Sequence, residues 1–169
     1  MFARARAGFE SLLDAIVIVL MVGLAAEVII GVVFRTIGES LVWYDEVAAI
    51  LLAWLTYYGS ALAAMKRAHI GFSGLVDTMS PAWRVPTMLL AEFCVFGFFI
   101  LLAYIGWSVM EVLTTDYLVS LPEVSVIYTQ SVIWIGAVLF IIAEALMLPQ
   151  LIERARRPGP MHQGPEINP

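Results

Sequence analysis

A chain of 169 residues that is 62% hydrophobic and only 14% charged departs from soluble domains, which run near half apolar and a quarter charged, and a water-soluble core is excluded as its home. Nine Lys plus Arg against fourteen Asp plus Glu give a formal charge of −5, which gives no sign of nucleic-acid binding; in a membrane protein the position of each charge matters more than the sum. The one cysteine, Cys94, lies inside an apolar run, which excludes an internal disulfide and a thiolate cluster and reads as a small buried hydrophobe.

The first apolar run, Ala15 to Phe34, is interrupted only by Glu27. Arg4 and Arg6 ahead of it and Leu24-Ala25-Ala26 within it imitate a secretory signal and its cleavage site, but apolar residues continue past Glu27 and make a full, uncleaved span. Gly23, Glu27 and Gly31 recur every four residues on one helix face, where the glycines would let another backbone approach. That face is expected to meet protein. Glu27 reads as a hydrogen-bonded packing residue, with ion or proton coupling as the competing reading of an intramembrane acid.

The second run, Val47 to Met65, holds no charge and is preceded by Trp43-Tyr44-Asp45-Glu46. Two aromatics suit a membrane interface and two carboxylates suit the positive end of a helix dipole. Arg35, at the end of the first helix, suits the opposite dipole end and is placed to pair with Glu46 across the short hairpin. Ala49/Ala53 and Gly59/Ala63 are small pairs that favour close helix contacts.

The third run, Val85 to Met110, contains only Glu92, and the fourth, Val124 to Leu148, only Glu144. A hydrocarbon core about 30 Å thick takes roughly 20 helical residues, so each run crosses once. An all-α integral membrane protein follows, with four transmembrane helices at about 10–35, 44–67, 84–112 and 123–153 in one domain over 1–157. Asp14, Glu92 and Glu144 fall near helix ends, where headgroups or Arg84 and Arg154 are expected to satisfy them. Residues 158–169 hold four prolines and no apolar periodicity and read as a disordered tail.

The basic residues sort by segment: Arg4 and Arg6 precede helix 1, Lys66, Arg67 and Arg84 lie between helices 2 and 3, and Arg154, Arg156 and Arg157 follow helix 4, with Arg35 alone on the other side. The positive-inside bias then puts both chain ends in the cytoplasm. The two outer loops are short and acidic, with Glu39, Asp45 and Glu46 in one and Glu111, Asp116 and Glu123 in the other. A haem would need intramembrane histidines, whereas His69 lies in the central loop and His162 in the tail. Glu46 and His69 are separated by a helix of about 34 Å and cannot share a metal. No cofactor or hydrolytic site is expected.

Arg35 ending helix 1, Trp43-x-x-Glu46 opening helix 2, Trp54 within it, Gly59 before an Ala-rich turn, and Lys66-Arg67-Ala68-His69-Ile70 closing it resemble the small membrane subunit, the DctQ component, of tripartite ATP-independent periplasmic (TRAP) transporters. Pro81-x-x-Arg84 leading into helix 3 fits as well, and the likeness extends to about Arg157. Thr36, Ser73 and Ser131-Val132 depart from the residue types common there. The resemblance implies a bacterial inner-membrane subunit that braces a large transport subunit and helps receive a periplasmic substrate-binding protein, for uptake of an organic acid driven by an ion gradient. It gives Arg35, Trp43, Glu46, Trp54, Gly59 and His69 docking or structural roles. The chain shows neither an internal repeat nor a pair of interrupted helices, the usual marks of a transport pathway, so an accessory is expected. The alternatives are the small subunit of a tricarboxylate transporter and a small membrane redox or enzyme subunit.

Overall fold

The computed structural model describes residues 2–66 and 79–156. The elements in chain order are α1 (Phe2–Thr36), α2 (Tyr44–Met65), α3 (Pro81–Val112), a 3-10 turn (Leu113–Thr115), the short α4 (Val126–Gln130) and α5 (Val132–Arg156). Four helical stretches are long and apolar enough to cross a membrane. The one strand-like feature among the described residues is an isolated bridge, Tyr117 to Ser125.

Three helix starts differ from the sequence expectation, each for a local reason. α1 starts at Phe2 rather than near residue 10, because the alanines and arginines ahead of the apolar run are good helix formers and Gly8 alone is too weak a breaker. α3 starts at Pro81, three residues early: Ser80 is its extended N-cap, and a proline at the first helical position lacks only an N–H that would go unbonded anyway. The fourth span starts at Val126 rather than 123, where the Ser125 side chain caps the Ile127 N–H, and it is interrupted at Ser131 before α5 begins. The expected continuation of α2 through Arg67, and the tail 158–169 with Arg157 and His162, lie outside the described residues.

The helices pack in the lateral order α1, α2, α5, α3, so α1 and α3 occupy the two edges and α5 lies between α2 and α3. The short hairpin over 37–43 makes α1 and α2 antiparallel neighbours. Gly38 turns it with φ +85°, while Glu39 N–H returns to Phe34 O (3.0 Å) and Gly38 N–H to Arg35 O (3.3 Å), the double closure that ends a helix on a left-handed residue. The start of α1 and the last turns of α5 share one end of the molecule, the terminal end. The α1–α2 and α3–α4 connections share the other, the hairpin end.

The buried core lies toward the terminal end, where Leu13 of α1, Ala61, Ala64 and Met65 of α2, and Phe140, Ala143 and Met147 of α5 cluster. The alanines bring the helices close, the means by which helices associate where lipid is as apolar as leucine. Phe99 of α3 stacks on Phe140, with centroids 3.7 Å apart and an 8° tilt. Toward the hairpin end glycines do the same work: Gly136 abuts Tyr57, and Gly106 abuts Trp134. Trp134 also meets Trp107 edge-on at 5.2 Å. Cys94 is exposed on α3 rather than buried, since an apolar run in a membrane helix faces lipid as readily as protein.

Candidate functional site

The hairpin end is organised by Glu46. Its place in the first turn of α2, beside Asp45 and behind the N-cap Trp43, aims its carboxylate along the positive end of the helix dipole. There it accepts the Val119 N–H on Oε1 (3.3 Å) and the Ser120 N–H on Oε2 (2.8 Å). The Ser120 hydroxyl also donates to Oε2. Three donors on one carboxylate make a charge-assisted clamp, and it joins the start of α2 to the second connecting loop.

That loop is itself closed. Leu118 N–H bonds Val124 O and Val126 N–H bonds Asp116 O, both at 3.0 Å, and Val124 N–H bonds Leu121 O at 2.9 Å. Leu118 turns inward and is buried, while Val119 at the apex is 93% exposed. In the first hairpin Val42 is 84% exposed. Glu39, Asp45, Asp116 and Glu123 are exposed around these tips, so the hairpin end presents apolar points in an acidic surround.

The Arg35–Glu46 pair that the sequence allowed does not form, because Glu46 is taken up by Val119 and Ser120. Arg35 stands exposed in the last turn of α1. Trp43 is half-buried at the N-cap. Trp54 reaches across to α4, its indole N–H donating to Thr129 O at 2.9 Å. Trp54 also leans on Tyr58, with centroids 6.4 Å apart. Gly59 is half-buried, yet a Cβ built on it would meet nothing within 4 Å, so its smallness serves no contact among the described residues. His69 and Arg67 lie outside the described residues.

At the terminal end Lys66 Nζ meets Asp14 Oδ1 at 2.6 Å. Asp14 is therefore paired with Lys66, a partner the sequence reading did not name. The Asp14 carboxylate holds the Lys66 ammonium above its ordinary pKa, with Glu10 adding to the effect. Glu144 is buried in α5 beside Ala143. Arg84 Nε donates to Met79 O at 3.1 Å.

Of the Gly23, Glu27 and Gly31 face, Gly31 does press on the neighbouring helix: a Cβ there would stand 2.1 Å from the Tyr44 ring. Gly23 meets nothing within 4 Å. Glu27 between them is half-buried, and its Oε1 is buried with no hydrogen-bond partner among the described residues.

Sequence reasoning missed Ser120, the Asp14–Lys66 pair and the Trp54–Thr129 bond. Only the second had a legible signal, an acid and a base at facing helix ends. Among the described residues no group of three His, Cys, Asp or Glu is placed to hold a metal ion. A family model described as "Tripartite ATP-independent periplasmic transporters, DctQ component" matches residues 24–156. No curated protein matches the chain.

Proposed function

From the premise that this chain belongs to the DctQ family, the small membrane subunits of TRAP transporters, we propose that it braces the large transport subunit and helps dock the substrate-binding protein. The process served is ion-gradient-driven uptake of an organic acid. Membership makes the chain a transporter subunit rather than an enzyme, and implies both partners. It also separates the chain from the small subunits of tricarboxylate transporters and from redox subunits. With four helices able to cross a bilayer, it is a multi-pass membrane protein.

On this reading the membrane is the bacterial inner membrane, residues 1–157 form one membrane domain, and both chain ends face the cytoplasm as the distribution of basic residues indicates. The hairpin end then faces the periplasm. The observation that carries the docking role is the Glu46 clamp, which makes one surface of two loops that lie 73 and 74 residues apart in sequence. A loop pinned by charge-assisted bonds presents its exposed Val119 and acids in one arrangement, which lowers the ordering cost of receiving a soluble partner. Trp43 and Arg35 flank the surface, and Trp54 fixes α2 to the span behind it. Gly59, open on α2, is left for contact with the large subunit.

The test is reconstitution. The chain should co-purify one-to-one with the large subunit, and uptake into vesicles should require both membrane subunits and the binding protein. Uptake that is unchanged without this chain overturns the bracing role. Reporter fusions at Ser40 and Tyr117 should both behave as periplasmic, and two cytoplasmic reporters overturn the orientation.

A further inference from the structure

The two edges of the helix row differ in kind. α1 and α3 are the edge helices, yet α1 carries neither Trp nor Tyr, whereas α3 carries Trp83, Tyr104 and Trp107, all more than half exposed. Trp83, Leu90, Cys94, Leu101 and Tyr104 fall on one face of α3, at steps of seven, four, seven and three residues. At 1.5 Å per residue Trp83 and Tyr104 stand about 32 Å apart along the helix, against a hydrocarbon thickness of about 30 Å. Rings with one apolar body and one polar tip collect at the headgroup level. Here two of them, set one bilayer thickness apart on a single face, mark both levels.

Between these levels the face is apolar. Leu90, Phe93, Phe98 and Leu101 are each more than half exposed. Glu92 is the one charge from Val85 to Met110; nine residues after Trp83 it falls on the opposite side of the helix, and its Oε2 is buried. The next charges, Arg84 and Glu111, lie at or beyond the aromatic levels. A protein partner could cover an apolar face, but it gives no reason for Trp and Tyr to stand at both headgroup levels and at no position between them. Lipid does. We propose that the α3 edge is the lipid-facing side of the chain in the assembled transporter, with Trp83 and Tyr104 in the two headgroup layers and Cys94 near the bilayer midplane. The large subunit is left the rest of the row, a clause that rests on the reading of the chain as partner to such a subunit; the lipid contact rests on α3 alone.

The native Cys94, the one cysteine of the chain and exposed on α3, supplies the probe. A nitroxide is attached to it in the full chain, and to Trp83→Cys or Tyr104→Cys in a Cys94→Ser background. Each labelled chain is placed in lipid vesicles alone and in complex with the large subunit. Spin relaxation by oxygen, which concentrates in the hydrocarbon, is compared with relaxation by a nickel chelate, which stays in water. The ratio of the oxygen effect to the chelate effect should peak at Cys94 and fall toward both Trp83 and Tyr104, and assembly with the large subunit should leave the oxygen effect at Cys94 unchanged. Loss of that effect on assembly, dipolar broadening between the Cys94 labels of two copies, or a ratio highest at either end overturns the proposal. Should either end variant fail to insert, the Cys94 label, which needs no substitution, decides. Failure of the chain to recover the large subunit is a different result: it overturns the partnership, and the Cys94 label in the chain alone then decides the lipid contact by the same readings.

Discussion

Ser120 donates its backbone N–H to the Glu46 carboxylate at 2.8 Å across 74 residues of chain. The bond sets the second loop against the first turn of α2, so the two connections at that end move as one. Each contributes an exposed apolar tip, Val42 and Val119, and each contributes acids. A docking surface assembled from two loops depends on the contact that holds them in register.

Glu46→Ala should therefore free the loop without unfolding the helices. The Val119 and Ser120 N–H groups lose an ionised acceptor and turn to water, so their amide hydrogens should exchange roughly three- to tenfold faster. Uptake should fall while insertion is unchanged. Hydrogen exchange by mass spectrometry over residues 117–125 checks the first claim, and unchanged exchange there would refute it. Arg35→Ala, whose side chain makes no hydrogen bond or ion pair among the described residues, should leave that exchange untouched.

The close-packed glycines predict a graded series. A Cβ on Gly136 would stand 2.7 Å from the Tyr57 Cβ, a position fixed by its backbone. Gly136→Ala should push α2 and α5 apart and cost about 1–3 kcal/mol. Gly31→Ala meets the Tyr44 ring instead, which can swing, and should cost less. Gly23→Ala, with nothing within 4 Å, should be neutral or slightly stabilising through helix propensity. Thermal unfolding of the three variants in detergent gives the ranking.

How much of this was legible depends on the kind of signal each feature leaves. The four spans stand out because long apolar runs such as Val47 to Met65 tolerate almost no charge. The lateral order α1, α2, α5, α3 left no such trace: helices that face lipid on one side and protein on the other are apolar all round, so no stripe marks the buried face. Cys94 was misread for the same reason. Glu46 was identified, but its partner was not, because Arg35 close in sequence and Ser120 far from it are equally acceptable chemically and only the fold selects between them. Gly31, read as a place where another backbone could approach, instead meets the Tyr44 ring, and Gly23 meets nothing within 4 Å among the described residues.

Trp54→Phe isolates the indole bond. A smaller aromatic ring remains beside Tyr58, and the Thr129 carbonyl loses the donor that meets it at 2.9 Å. The expected cost is about 1 kcal/mol, concentrated where α4 passes into α5. Denaturant unfolding should show a lower midpoint at unchanged slope. A larger effect than Trp54→Ala would be inconsistent with the bond and would point to disturbed packing beside Tyr58.

At the terminal end the sign of the pH dependence follows from Lys66. Its pKa is raised in the folded chain above the ordinary 10.5, chiefly by the Asp14 carboxylate. Folding therefore favours the protonated form. The contribution is fully present at neutral pH, up to the unfolded value, and is lost as pH climbs through the raised one. Because both side chains are more than a third exposed, salt should weaken the pair and its effect should be small. Lys66→Met should lower thermal stability slightly at neutral pH and not at all once pH exceeds the raised pKa, where the wild-type lysine has also lost its charge. The exchange Asp14→Lys with Lys66→Asp should recover part of what either single change removes. A Lys66→Met deficit that persists undiminished at the alkaline end would mean that the lysine stem, packed at the end of α2, rather than its charge, stabilises that end of the protein.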